Sequence, residues 1–232
     1  MVLIFKVIIL GDPAVGKSCL MNNYLDKGFH DGDPPTIGVE FGSRTEDMMT
    51  MIRPEVLRIY REKFENKQYK IDSELKLHIW NSSGQERFHS IVTNYYRNTH
   101  GAIFVFDLTR RSTLENLKKW IEDYEKYGTK SLSEVGALLV GCKTDLEDLR
   151  EVYDEDIRKI AEKYHLPYFT VSSKYDSDKI TRVFHNIGNQ MMEKFMDNPP
   201  RSALDLINLR VEREDYKFID YNYNKKWCCN LL

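Results

Sequence analysis

The chain has 232 residues, enough for one domain or one domain with a tail, and 41% of them are apolar, enough for a sizeable core. A net charge of -2 lacks the basic footprint of a nucleic-acid binder, so no nucleic acid is expected as a partner. Four cysteines, two of them adjacent at positions 228 and 229, are too few for a disulfide framework and point to a reducing, cytosolic setting.

Taken in chain order, the first predicted strand is residues 4–10. Lys6 interrupts this apolar run and Gly11 ends it, and no stretch approaches the ~20 apolar residues that span a bilayer, so it reads as a buried strand. Gly11-Asp12-Pro13-Ala14-Val15-Gly16-Lys17-Ser18 follows directly and fits G-x-x-x-x-G-K-[ST]. Glycines let such a loop turn its successive N–H groups toward one anion. Lys17 can then reach terminal phosphates, and the Ser18 hydroxyl suits Mg²⁺. Further strands are predicted at 39–45, 74–80, 102–107, 137–142 and 168–171. Between them lie helical stripes. Ser112 and Glu115 read as a capping box, with Leu114, Leu117, Ile121 and Tyr124 facing inward behind it. Ile157, Ile160, Ala161 and Tyr164 mark a second stripe, and Ile180, Val183, Phe184, Ile187, Met191 and Phe195 a long last one. After Pro199 and Pro200 the pattern stops, and residues 198–232 are expected to form a flexible tail.

Strands alternating with helices give an α/β fold with a mostly parallel six-stranded sheet flanked by helices. Ligands of such sheets bind beyond the carboxyl ends of the strands. Four loops converge there, at 11–18 and at the segments starting with Asn81, Cys142 and Ser172.

Several ordered motifs sit in this frame. They are Pro35-Thr36-Ile37-Gly38-Val39-Glu40-Phe41, Lys76-Leu77-His78-Ile79-Trp80, Ser83-Gly84-Gln85-Glu86-Arg87-Phe88, Tyr95-Tyr96-Arg97, His100-Gly101 and Phe106-Asp107-Leu108-Thr109. Together they resemble the Rab branch of the Ras-like small GTPases, over residues 3–196 and the last few. The resemblance implies a P-loop NTPase, a Ras-like G domain over residues 1–197, with GTP or GDP as ligand and Mg²⁺ as cofactor. By position, Ala14, Val15, Gly16, Lys17, Ser18 and Cys19 would contact the phosphates. Ser18 and Thr36 would ligate Mg²⁺, and Thr36 and Gly84 would sense the γ-phosphate. Gln85 would orient the attacking water as the catalytic residue. Phe29 would lie against guanine, or else be a buried loop anchor. Cys142, Lys143, Asp145 and Leu146 match the base-reading loop, where the Asp145 carboxylate rewards guanine's donor pair. Asp145 also has the position of a helix N-cap. Ser172, Ser173 and Lys174 match the last nucleotide loop.

The chain departs from the family pattern at four places. Asn81 stands where the family has an aspartate that holds a water of the Mg²⁺ shell, which predicts weaker Mg²⁺ coupling and faster nucleotide loss. Cys142 replaces the asparagine of the base-reading motif and is a weak hydrogen-bond partner. Pro13 brings a residue without an N–H close to the expected γ-phosphate. An insertion at about 46–67 separates the two switches. Within it Pro54 is expected to open a helix with Leu57, Tyr60 and Phe64 on one face. The insertion reads first as a solvated excursion, with a partner-binding element beside both switches as the alternative.

Cys228 and Cys229 stand before Asn230-Leu231-Leu232 and resemble a doubly prenylated Rab tail, although Asn230 is a poor aliphatic match. Lys225 and Lys226 are too few for a strong polybasic patch. The resemblance further implies vesicle trafficking on the cytoplasmic face of intracellular membranes, with a cytosolic pool. It implies effectors, an exchange factor, a GTPase-activating protein, a prenylation escort and a GDP-dissociation inhibitor. The alternative is a Rab-like scaffold that binds partners without effective hydrolysis.

Overall fold

The computed structural model describes residues 2–30, 32, 34–64 and 73–198. Among these, six strands form one sheet: β1 (Leu3–Leu10), β2 (Val39–Asp47), β3 (Glu74–Ser82), β4 (Gly101–Asp107), β5 (Gly136–Cys142) and β6 (Tyr168–Val171). Their order is β2-β3-β1-β4-β5-β6. All neighbours run parallel except β2, which is antiparallel to β3. Each strand falls on the apolar run that predicts it, and β2 and β3 run two residues further.

Period-two alternation divides the core into two layers. Phe5, Val7 and Ile9 of β1 pack on one face, with α1 (Lys17–Tyr24) and α8 (Ser177–Asp197). Ile8 and Leu10 point to the other face. That face is covered by α4 (His89–Val92), α5 (Arg111–Glu115), α6 (Leu117–Tyr127) and α7 (Asp154–Tyr164). The predicted inward stripes are buried or partly buried: Leu114, Leu117, Ile121 and Tyr124 on one side, and Ile180, Val183, Phe184 and Ile187 on the other. Because β1 lies between β3 and β4, its carboxyl end faces the crevice where the strand order reverses, and the glycine loop leaves from there.

Two expectations are corrected. Ser112 does not cap its helix, which starts one residue earlier at Arg111. The N–H of Arg111 is satisfied from a distance, by Glu151 Oε2 at 2.8 Å. The hydroxyl used at this turn is that of Thr113, which accepts from Asp107 N at 2.9 Å and donates to Arg110 O at 2.7 Å. The Ser-x-x-Glu capping box that does form is Ser131 with Glu134.

The described part of the insertion, residues 46–64, is neither a solvated excursion nor a neighbour of the switches. It forms α2 (Met48–Met51) and α3 (Pro54–Phe64), the latter opening at Pro54 as expected. Met48, Met51, Ile52, Val56, Leu57 and Tyr60 join the α1–α8 core layer. The insertion is clasped to α8. Asn189 Oδ1 accepts from Arg53 N at 2.7 Å, and its Nδ2 donates to Met51 O at 3.1 Å. Gly188 leaves room for Met51, whose Cε lies 2.2 Å from where a Cβ would stand. Arg53 pairs with Glu193. The β2–β3 register explains the location. Val39 faces Ser82 at the switch end, and Asp47 faces Glu74 at the insertion end, about 27 Å away at ~3.4 Å per residue.

Candidate nucleotide site

The loop after β1 holds its shape through left-handed backbone and side-chain tethers. Gly11 has φ 147, Ala14 φ 61 and Gly16 φ 105. A Cβ on Gly11 would stand 2.1 Å from Val105 O, so no other residue fits there. Asp12 accepts from Trp120 Nε1 at 2.8 Å and Asn116 Nδ2 at 2.7 Å. Arg110 donates to Pro13 O at 2.9 Å and pairs with Asp107 at 3.1 Å. Inside the loop, Lys17 Nζ donates to the carbonyls of Gly11 at 2.8 Å and Asp12 at 2.7 Å. Burial lowers the Lys17 pKa to about 8, against the opposing pull of Asp12. A desolvated ammonium at the neck of a glycine loop gains strongly when an anion arrives.

Beside it, Ser18 Oγ lies 2.8 Å from Thr36 Oγ1. An octahedral Mg²⁺ with ~2.0–2.1 Å bonds sets neighbouring ligands about 2.9 Å apart, so the two hydroxyls have the spacing of adjacent ligands. Asn81 is fully buried behind them; its Oδ1 has no hydrogen-bond partner among the described residues. Two hard oxygens at ligand spacing fit the cation.

The second switch presses on the loop. A Cβ on Gly84 would stand 2.3 Å from Asp12 C and from Pro13 N, so this close approach needs glycine. Ser83 N donates to Gly38 O at 2.7 Å and ties the two switch segments together. Gln85 faces the cavity, and its Oε1 accepts from Arg87 Nε at 2.7 Å.

At the far end, Lys143 (φ 72) pairs with the fully buried Asp107 at 2.7 Å. Burial alone would raise the Asp107 pKa, but hydrogen bonds from Lys143 and Thr109 hold it below the usual carboxylate range. Cys142 is buried, and burial pushes its thiol up to about 12, so it stays protonated. It packs under the glycine loop, its Cβ 3.2 Å from the place of a Cβ on Gly16, so van der Waals contact stands where an amide is expected. Asp145 is exposed, lines the cavity and makes no helix cap, since the following turn has Leu146 at its N-cap without a side-chain bond. The Asp176 carboxylate accepts from Ser172 N at 2.9 Å, and Ser172 Oγ accepts from Lys174 N at 3.2 Å, which shapes the last loop. Phe29 is half-buried with Lys174 Nζ 6.0 Å from its ring centroid, at the cavity wall and outside the core.

These groups enclose one cavity of about 690 Å³, within the range that holds a drug-sized ligand. Ala14, Gly16, Lys17, Ser18, Cys19, Phe29, Thr36, Gly84, Gln85, Cys142, Lys143, Asp145, Leu146, Ser173 and Lys174 all line it. Val15 and Ser172 do not: Val15 is buried in the core, and Ser172 is buried beneath the last loop. Sequence reasoning missed His30, Pro34 and the paired serines Ser82 and Ser83 as lining residues. It also gave no role to Asp107, although this residue stands in a quoted motif. Cys228 and Cys229 lie outside the described residues.

The Ras family profile matches residues 6–193 of this chain. The chain is 36% identical over 196 residues to Ras-related protein Rab-2B of Dictyostelium discoideum, covering 84% of each. It is 32% identical over 208 residues to Ras-related protein Rab-1 of Theileria annulata, covering 89% of this chain and 82% of that one.

Proposed function

The chain belongs to the Ras family as a Rab-type small GTPase, and on that premise we propose that it is a switch that binds GTP and GDP and hydrolyses GTP slowly. The observation that carries this reading is the Ser18–Thr36 contact of 2.8 Å, set beside the buried Lys17 at one end of the cavity. In this reading Lys17 and the N–H groups of residues 14–19 take the phosphates. Ser18 and Thr36 hold Mg²⁺, which when bound neutralises charge on the phosphates. Gly84 offers its N–H to the γ-phosphate. Asp145 accepts from guanine, and Phe29 covers the base. Gln85 orients the water for in-line attack. When the γ-phosphate leaves, Thr36 and Gly84 lose their partners and the switch loops are released.

Effectors would read the switch face. Ile37 is 77% exposed there. Phe41, Trp80 and Tyr95 pack in sequence with tilted rings at 4.8 and 4.9 Å, connecting the strand after one switch to the segment after the other. Among the described residues no helix is long and apolar enough to cross a membrane. Attachment would come from prenyl groups on Cys228 and Cys229, placing the protein on the cytoplasmic face of intracellular membranes with a cytosolic pool. Vesicle trafficking is the process this implies. An exchange factor, a GTPase-activating protein, a prenylation escort and a GDP-dissociation inhibitor would act on it.

A second reading, a scaffold with impaired hydrolysis, is favoured by the Arg87 contact that occupies one lone pair of Gln85 Oε1. Analysis of the nucleotide carried by the purified protein, then single-turnover hydrolysis of GTP, tests both. Bound guanine nucleotide with turnover supports the switch. Bound nucleotide without turnover supports the scaffold, and a protein that binds neither GTP nor GDP overturns both.

A further inference from the structure

Asn81 on β3 and Glu40 on β2 face each other across the antiparallel pair. Asn81 Nδ2 lies 2.8 Å from Ser18 Oγ and 3.0 Å from Glu40 Oε2. An ionised carboxylate only accepts hydrogen bonds, so the amide must turn its NH₂ toward Glu40. The reversed amide would set two acceptors against each other with no proton between them. Glu40 therefore selects one of the two amide orientations. In that orientation Asn81 Oδ1 is the spare acceptor, buried and with no partner among the described residues. A buried acceptor of this kind costs stability unless a donor reaches it.

We infer that Glu40 supplies, from the neighbouring strand, the negative charge that position 81 has lost. It is a positioning residue: it fixes the Asn81 amide whose Nδ2 reaches Ser18 Oγ, the hydroxyl that would ligate Mg²⁺. It also keeps a carboxylate one hydrogen bond from the amide that touches Ser18. The inference rests on the GTPase reading and deepens it. An acid and an amide on two strands do together what one aspartate on β3 does in the family pattern. The arrangement also changes what an Asn81→Asp substitution does. Two carboxylates would then stand about as close as Asn81 and Glu40 do now, and like charges at that separation oppose each other.

The test is retention of a fluorescent GDP analogue across a Mg²⁺ titration, for the wild type, Glu40→Gln, Asn81→Asp and the double variant. Glu40→Gln is expected to raise the Mg²⁺ concentration for half-retention about tenfold, as loss of an outer partner of a metal site does. Asn81→Asp alone should gain little, whereas Asn81→Asp in the Glu40→Gln background should restore wild-type retention. That rescue also establishes that the loss in Glu40→Gln is not misfolding. An unchanged midpoint in Glu40→Gln, or additive effects around the cycle, overturns the inference and leaves the GTPase reading standing. A wild type that retains no guanine nucleotide at any Mg²⁺ concentration overturns both.

Discussion

At Val39 and Ser82 the β2–β3 pair ends beside the cavity, where Thr36 meets Ser18 and Ile37 stands in solvent. At Asp47 and Glu74 the same pair ends in α2 and α3, whose apolar faces are buried and clasped to α8 by Asn189. One end is polar, and its two switch segments meet through the hydrogen bond from Ser83 N to Gly38 O. The other is dry and packed as a core. Local stability follows such differences, and elements that move are drawn from the weakly packed end. The contrast teaches that an insertion between two switches need not serve them. Here it adds mass to the fixed end of the hairpin and leaves the moving end free.

The comparison can be broken most severely from the packed end. Leu57→Ala should cost about 2–5 kcal/mol of stability, as core truncations do, while nucleotide release at a temperature where the protein is folded stays unchanged. Denaturant unfolding together with a release assay measures both. A large change in release would mean that the two ends are coupled. The opposite separation is expected for Lys17→Met. Loss of its charge-assisted bonds to phosphate should weaken nucleotide binding by about 1.5–3 kcal/mol, roughly 10- to 150-fold. Because burial disfavours the charged lysine in the folded chain, the same variant should melt at an unchanged or higher temperature. Isothermal titration and calorimetric melting would show whether function and stability part in this way.

A third expectation concerns pH. The Lys17 pKa of about 8 lies below its ordinary 10.5, and a bound phosphate would raise it again. Above pH 8 the free protein must therefore take up a proton on binding, so affinity should fall toward tenfold per pH unit. Below pH 8 this group contributes no slope. A flat affinity between pH 8 and 9.5 would contradict the assignment. The smallest effect is expected at Gln85. Arg87→Ala frees its Oε1 and should change single-turnover hydrolysis by a few-fold at most, an amount on the order of one solvent-exposed hydrogen bond. Loss of all turnover would instead make Arg87 part of the hydrolytic apparatus.

Much of the polar end was legible because its chemistry is local. The glycine loop, the switch threonine and the base-reading segment each carry their signal within a few adjacent residues. The strands were legible for the same reason, as short apolar runs ended by turn residues. The packed end was half legible. Pro54 and the stripe after it predict α3, but the docking of the insertion depends on Gly188, Asn189 and Glu193, which lie 136 to 140 residues from the groups they meet. No local pattern encodes that. Ser112 misleads because the helix starts one residue earlier, at Arg111, whose N–H is taken by Glu151 from another loop. Glu40 had no visible role because it becomes meaningful only once the register sets it opposite Asn81.

The tether between Asp12 and Trp120 makes the glycine loop optically visible. The indole N–H is hydrogen-bonded at 2.8 Å to a carboxylate of the loop itself, and Trp120 is 8% exposed. Any shift of Asp12 on loading or emptying the site alters that bond and with it the polarity at the indole nitrogen. The chain contains three tryptophans: Trp80, in the aromatic cluster beside the switches, Trp120, and Trp227 near the C-terminal end. With Trp227 replaced by Phe, the intrinsic emission would come from one tryptophan bonded to the loop and one in the aromatic cluster beside the switches. Each nucleotide state would then have its own spectrum, read without an attached dye.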